Sequence, residues 1–143
     1  MDGTTEEHKL PFWRRYIFSV DHKVIGIQYG ITALLFLFFG FCLMLLMRWQ
    51  LAFPGRALPG LETMISDENL FMPEGIMDSG FYNALGAMHG TIMVFLGVVP
   101  LAVGAFGNYL IPLQLGACDM AFPRLNMTSD WAYFVGGVIM LAT

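Results

Sequence analysis

FYNALGAMHGTIMVFLGVVPLAVGAFGNYLIPLQLGAC, residues 81–118, runs for 38 residues without an Asp, Glu, Lys or Arg and contains a single histidine, His89. A helix rises about 1.5 Å per residue, so about 20 apolar residues cross the hydrocarbon core of a bilayer. The run is therefore long enough to cross and to project beyond one face. Tyr82 and Tyr109 lie near its ends, which leaves His89 as the one ionisable side chain at membrane depth. An imidazole in lipid is costly unless it binds something, so His89 is a candidate site residue. A neutral ring nitrogen is also a good iron ligand.

The rest of the chain supports a membrane setting. Of its 143 residues 57% are hydrophobic and 13% charged, about half the charge of an ordinary soluble domain, and the mean hydropathy is +0.63. Aromatics at 15% and 16 glycines suit a helical bundle with interfacial belts and close backbone contacts. Cys42 and Cys118 stand far apart and form no CxxC, so neither a redox motif nor a thiolate metal site is indicated. No basic stripe supports nucleic-acid binding. The start, MDGTTEEHKL, is acidic and unlike a signal peptide, so the first apolar segment is expected to be retained.

The expected fold is all-α and membrane-integral, with two complete transmembrane helices and the start of a third. Residues 1–23 form a cytoplasmic N-terminal segment and 24–48 the first span, which Arg48 ends. Residues 49–80 form an outer loop and 81–113 the second span, kinked at Pro100. Residues 114–128 are a cytoplasmic loop, and 129–143 begin the third helix, with Thr128 or Ser129 as its cap and Asp130 in its first turn. Trp131 to Thr143 is only 13 residues, too few to cross, so the sequence reads as a fragment or one piece of a split protein.

Lys9, Arg14, Arg15, Lys23 and Arg124 are five of the seven Lys/Arg and fall on one side of the spans. The positive-inside rule makes that side cytoplasmic, and a bacterial inner membrane is the expected location. His89 then lies roughly 12 Å below the outer end of its helix, while Asn108, Gln114 and Asp119 lie towards the inner surface. The outer loop's acids Glu62, Asp67, Glu68, Glu74 and Asp78 read as a solvated surface or as steering for a basic partner. Trp13, Tyr16 and Trp49 read as interfacial belt residues.

Gly86 and Gly90 flank His89 at i−3 and i+1, leaving clearance for a flat macrocycle whose iron would reach Nε2. The competing reading is a histidine hydrogen-bonded to a neighbouring helix, with the glycines packing as Gly-xxx-Gly. His8 and His22 precede the first span at the wrong depth, so a second axial ligand must come from elsewhere.

MHGTIMVFLGVVPLAVGAFGNYLIPLQLGACDMAFPRLN resembles the second helix and following loop of subunit I of the haem–copper terminal oxidases, and of the cytochrome c oxidases in particular. FSVDHKVIG before the first span and LLMR at its end match in the same order. The resemblance covers about Phe18–Arg48 and Met88–Trp131, and it says nothing about the long loop between them.

It implies the N-terminal part of the catalytic subunit of a proton-pumping oxidase, built on a twelve-helix-type core, that reduces O2 to water. By resemblance His89 is an axial ligand of low-spin haem A (haem B remains open). Arg48 is the arginine that hydrogen-bonds the haem formyl group; without the resemblance it is equally an anchor snorkelling to the interface. Asp119, Asn108 and Asn126 match the entrance of the family's D proton channel, where the bland alternative is an interfacial Asp119 paired with Arg124 or capping a turn. The high-spin haem and copper of the complete subunit draw on ligands absent from this chain.

The implied partners are further oxidase subunits, including one like subunit II that accepts electrons, and cytochrome c or a membrane-bound cytochrome as donor, besides O2 and lipid. The positions of the quinone pocket in quinol-oxidising relatives are held by Phe39, Leu43, Phe81 and Ala84, which cannot make its polar contacts. At the family's outer cation site the usual glutamate is Gln50, so that site is not carried over. Quinol oxidase subunit I, and a non-catalytic haem-binding or assembly membrane subunit, are the alternatives; a nitric-oxide reductase is disfavoured by the proton-channel trio.

Overall fold

The computed structural model describes residues 11–59 and 75–142. The acidic start Met1–Leu10 and the loop acids Glu62, Asp67, Glu68 and Glu74 lie outside the described residues. Three long helices account for most of the rest: α1 (His22–Ala52), α2 (Ser79–Leu115) and α3 (Pro123–Ala142). The first two are long and apolar enough to cross a membrane. Their outward faces carry large apolar side chains, with Phe95 66% and Val103 71% exposed. Water would make such faces costly; lipid or further apolar helices would not.

Helix ends fall where the backbone chemistry puts them, in each case beyond the expected bounds. Asp21 caps α1: its Oδ1 accepts from Lys23 N at 2.9 Å and its carbonyl from Ile25 N at 3.0 Å. The helix therefore starts at His22, two residues before the charge-free run. Arg48 does not end it, because arginine is a good helix former; α1 continues to Ala52 and stops ahead of Pro54 and the left-handed Gly55, φ 74°.

Asp78 caps α2 through Oδ2 to Gly80 N at 2.8 Å. The same helix ends at Gly116, whose φ of 68° lets Ala117 N reach Pro112 O at 3.0 Å. Between these ends α2 widens into π turns over Ile92–Val98 and Pro100–Gly107. Pro100 has no N–H to donate and its ring crowds the carbonyl one turn back, and wider turns relieve that crowding.

The third helix corrects the expected cap. It begins at Pro123, where a missing N–H costs nothing and φ is already helical. Thr128 and Ser129 are inside the helix: their hydroxyls donate to Arg124 O at 2.9 Å and Asn126 O at 2.7 Å. Asp130 accordingly lies in the second turn and is buried.

Two compact units divide the chain, one comprising the described parts of Met1–Leu34 and Val98–Thr143, the other Leu35–Gly97. In the first, Ile25, Tyr29 and Ala105 form the core, with Leu101, Met127 and Tyr133 against it. Here α1 and α2 approach closely at Gly26, where a Cβ would lie 3.1 Å from Ala105 O. The lead segment, a π turn over Trp13–Ile17, is tied down by Gln28, whose amide donates to Tyr16 O at 2.7 Å and Ile17 O at 3.1 Å. Trp131 Nε1 holds Ile17 O from α3 at 3.2 Å.

In the second unit Phe36, Leu43, Leu85, Ile92 and Leu96 are buried. Two glycines make its close helix contacts: a Cβ at Gly97 would run into the Leu37 side chain, and one at Gly40 would meet Met93 Sδ at 2.8 Å. Gly40→Val is expected to force Met93 aside and lower stability by about 1–3 kcal/mol. Thermal denaturation of the detergent-solubilised protein checks this; an unchanged midpoint would count against the packing.

Candidate functional site

Small residues bring α1 and α2 close enough in the second unit for a side chain of one to reach the backbone of the other. His89 Nδ1 lies 2.9 Å from the carbonyl of Gly40. A carbonyl only accepts, so Nδ1 carries the proton and Nε2 presents its lone pair. The hydrogen bond to a neighbouring helix and the ligand role are thus compatible, each using a different ring nitrogen. A metal-binding histidine is ordinarily oriented in this way, by a carbonyl or carboxylate on its other nitrogen.

The surroundings of His89 fit an axial haem ligand. A Cβ at Gly90 would meet nothing within 4 Å, and at Gly86 only the flexible tip of Met47, at 3.3 Å. Among the described residues no three His, Cys, Asp or Glu converge on a bare metal ion. A porphyrin brings its own four nitrogens and asks the protein only for axial donors. Arg48 stands in the same unit, next in sequence to Met47, and is exposed. Its guanidinium remains available to a ligand, although no contact joins it to His89.

The other three expected site residues lie in the first unit. Asn108 and Asn126 line a common cavity of about 510 Å³ with Tyr29, Ser129 and Met120. Asp119 is not among its walls; it is exposed and accepts from Met120 N at 2.8 Å. Asp119 thus bonds the next backbone N–H and still offers its carboxylate to solvent beside a residue of the cavity wall.

Three further polar groups of this unit escaped the sequence reading. Ser129 gives its one proton to Asn126 O, so Tyr29 O–H must donate to Ser129 Oγ, 2.9 Å away. The relay Tyr29→Ser129→Asn126 carbonyl follows from that count. His22, 2% exposed, holds the Asn108 carbonyl at 3.1 Å through Nδ1. That carbonyl is short of its usual partner because residue 112, four positions on, is a proline without an N–H. Asn126 Nδ2 is buried without a partner, and a cavity of this size gives such an orphan donor room for water. Helical spacing signals only Ser129, three residues after Asn126; Tyr29 and His22 are brought in by tertiary packing.

An all-α membrane protein with a ligand-ready intramembrane histidine and a separate polar cavity is the class these features define. The family model described as "Cytochrome C and Quinol oxidase polypeptide I" matches residues 24–143, and the chain belongs to that family. It is 46% identical over 139 residues to a cytochrome c oxidase subunit 1 of Thermostichus vulcanus, covering 96% of this chain and 22% of that protein. A cytochrome c oxidase subunit 1 of Synechocystis is 42% identical, covering 99% of this chain and 22% of the relative. A quinol oxidase subunit 1 of Bacillus subtilis is 39% identical over 127 residues, covering 89% and 17%. The chain thus spans about a fifth of the length of the cytochrome c oxidase relatives, and both donor types occur among its relatives.

Proposed function

We propose that this chain is the N-terminal part of the catalytic subunit of a proton-pumping cytochrome c oxidase, which reduces O2 to water in a bacterial inner membrane with the N-terminus cytoplasmic. The observation that carries the proposal is His89, held by Gly40 O through Nδ1 with Nε2 left bare. Haem A bound there supplies one-electron transfer between a donor and the oxygen-reducing centre. His89 fixes the axial direction, and the Gly40 carbonyl raises the basicity of the ring nitrogen opposite it. Arg48 places a permanent cation for the haem's polar substituent. High-spin haem, copper and their ligands belong to the remainder of the subunit.

Asp119 collects protons from the cytoplasmic side, and the cavity lined by Asn108 and Asn126 takes them inward along water. The buried Asn126 amide and the hydroxyls of Tyr29 and Ser129 orient that water without holding charge. Electrons reaching the haem from outside and protons arriving from inside convert redox free energy into membrane potential.

Cytochrome c is the proposed donor, directly or through a subunit II-like acceptor, because Phe39, Leu43, Phe81 and Ala84 offer no polar contacts to a quinone. Oxygen uptake by the purified complex tests this choice. Reduced cytochrome c is expected to sustain turnover; turnover on ubiquinol but not on cytochrome c would reassign the protein as a quinol oxidase.

A further inference from the structure

We propose that the cavity between the lead segment and the start of α3 binds the phosphate headgroup of an anionic phospholipid. The inference rests on the membrane placement of α1 and α2 and is independent of the haem and proton-entrance assignments. The cavity measures about 820 Å³ and is lined by Arg14, Arg15, Ser19, Asp21, Arg124 and Thr128, with Phe18 and Met127 among its apolar walls. Its three guanidiniums come from two stretches more than a hundred residues apart in the sequence.

Specific contacts hold those stretches together. Gln28 and Trp131 bind the carbonyls of Tyr16 and Ile17, and Phe18 stacks on Trp131 with ring centroids 5.2 Å apart. Among the described residues none of the three arginines has a carboxylate partner. Asp21, the one acid in the lining, is occupied in capping α1. Gathering three cations against one anion is unfavourable unless a further anion joins them.

The cavity's chemistry and position identify that anion. Guanidiniums match the non-bridging oxygens of a phosphodiester two at a time. Ser19 Oγ accepts from Asp21 N at 3.2 Å and keeps its own proton to donate. The cavity touches the first residues of both α1 and α3, the level at which helices leave the hydrocarbon, where lipid phosphates lie. Its apolar walls suit the start of an acyl chain, and its net positive charge disfavours a zwitterionic headgroup. Basic pockets between transmembrane helices are the usual form of such sites.

The test uses the intact oxidase complex, delipidated in detergent and equilibrated with micelles carrying phosphatidylglycerol or phosphatidylcholine, with bound lipid counted by mass spectrometry. Phosphatidylglycerol is expected to bind in preference, and each arginine removed in R14Q and R124Q should weaken it about fivefold, while R124K, which keeps the charge but not the paired donors, should weaken it less. High salt should release it from the wild type, because the site is open to solvent. Equal retention of phosphatidylcholine, unaltered binding in the R14Q/R124Q double variant, or indifference to salt would each overturn the proposal. Displacement by inorganic phosphate at equal concentration would do the same, by making this a free-anion site. Should the double variant fail to assemble, R15Q and the wild-type salt response decide.

Discussion

Asp119→Asn is expected to lower turnover on the order of a hundredfold, the scale set by removing a positioned proton-transfer group. Reduction of the low-spin haem should continue at the wild-type rate. Asparagine keeps the size of the side chain and can still accept from Met120 N, as Asp119 Oδ1 does at 2.8 Å, so local structure should survive. What it loses is an exposed group that can take up and release a proton. His89, the proposed point of electron input, lies in the other compact unit and is not among the residues around the 510 Å³ cavity. Stopped-flow reduction separates the two effects, and proton uptake followed with a pH indicator measures the first. Unchanged uptake and turnover would remove Asp119 from the proton path.

His89→Ala should act on the opposite half of the chemistry. Alanine leaves Gly40 O without its cross-helix donor and leaves no nitrogen where the bare Nε2 stood. The structural loss is small: one net hydrogen bond is worth about 1 kcal/mol, and Gly40 O keeps the option of an intrahelical partner. The complex should therefore assemble and remain in the membrane. The functional loss should be total, because no other described histidine can substitute: His22 is buried in the first unit with Nδ1 committed to Asn108 O. Oxygen uptake on cytochrome c is expected to fall to background, and extracted haem to fall with it. Near-normal turnover would show that electrons do not pass by way of His89.

His89 was legible in the sequence because it is the one ionisable side chain at membrane depth in a run without Asp, Glu, Lys or Arg, and a solitary cost of that kind needs a reason. Its orientation was not legible, since the Gly40 carbonyl lies 49 residues away and reaches it only because Gly40 lets α1 and α2 approach. Asn108 and Asn126 line one cavity, and Tyr29 and His22 join that unit's polar groups only through tertiary packing, which no sequence spacing signals.

Helix ends show a second kind of difference. Charge marks where a chain leaves lipid, whereas caps, prolines and left-handed glycines mark where a helix stops; the two coincide at Asp78 but part at Arg48, beyond which α1 runs on to Ala52. At α3 a hydroxyl pair followed by an aspartate imitated an N-cap. The proline five residues earlier was the true signal, and the hydroxyls instead bond back to carbonyls within the helix.

The reduced optical spectrum of the purified complex, wild type against His89→Ala, tests the central claim most directly, because it reports on the coordination of the haem rather than on turnover. Loss of the low-spin band with the high-spin signal retained is the result predicted for an iron held by Nε2 of His89. A low-spin band that survives the substitution unchanged would contradict it.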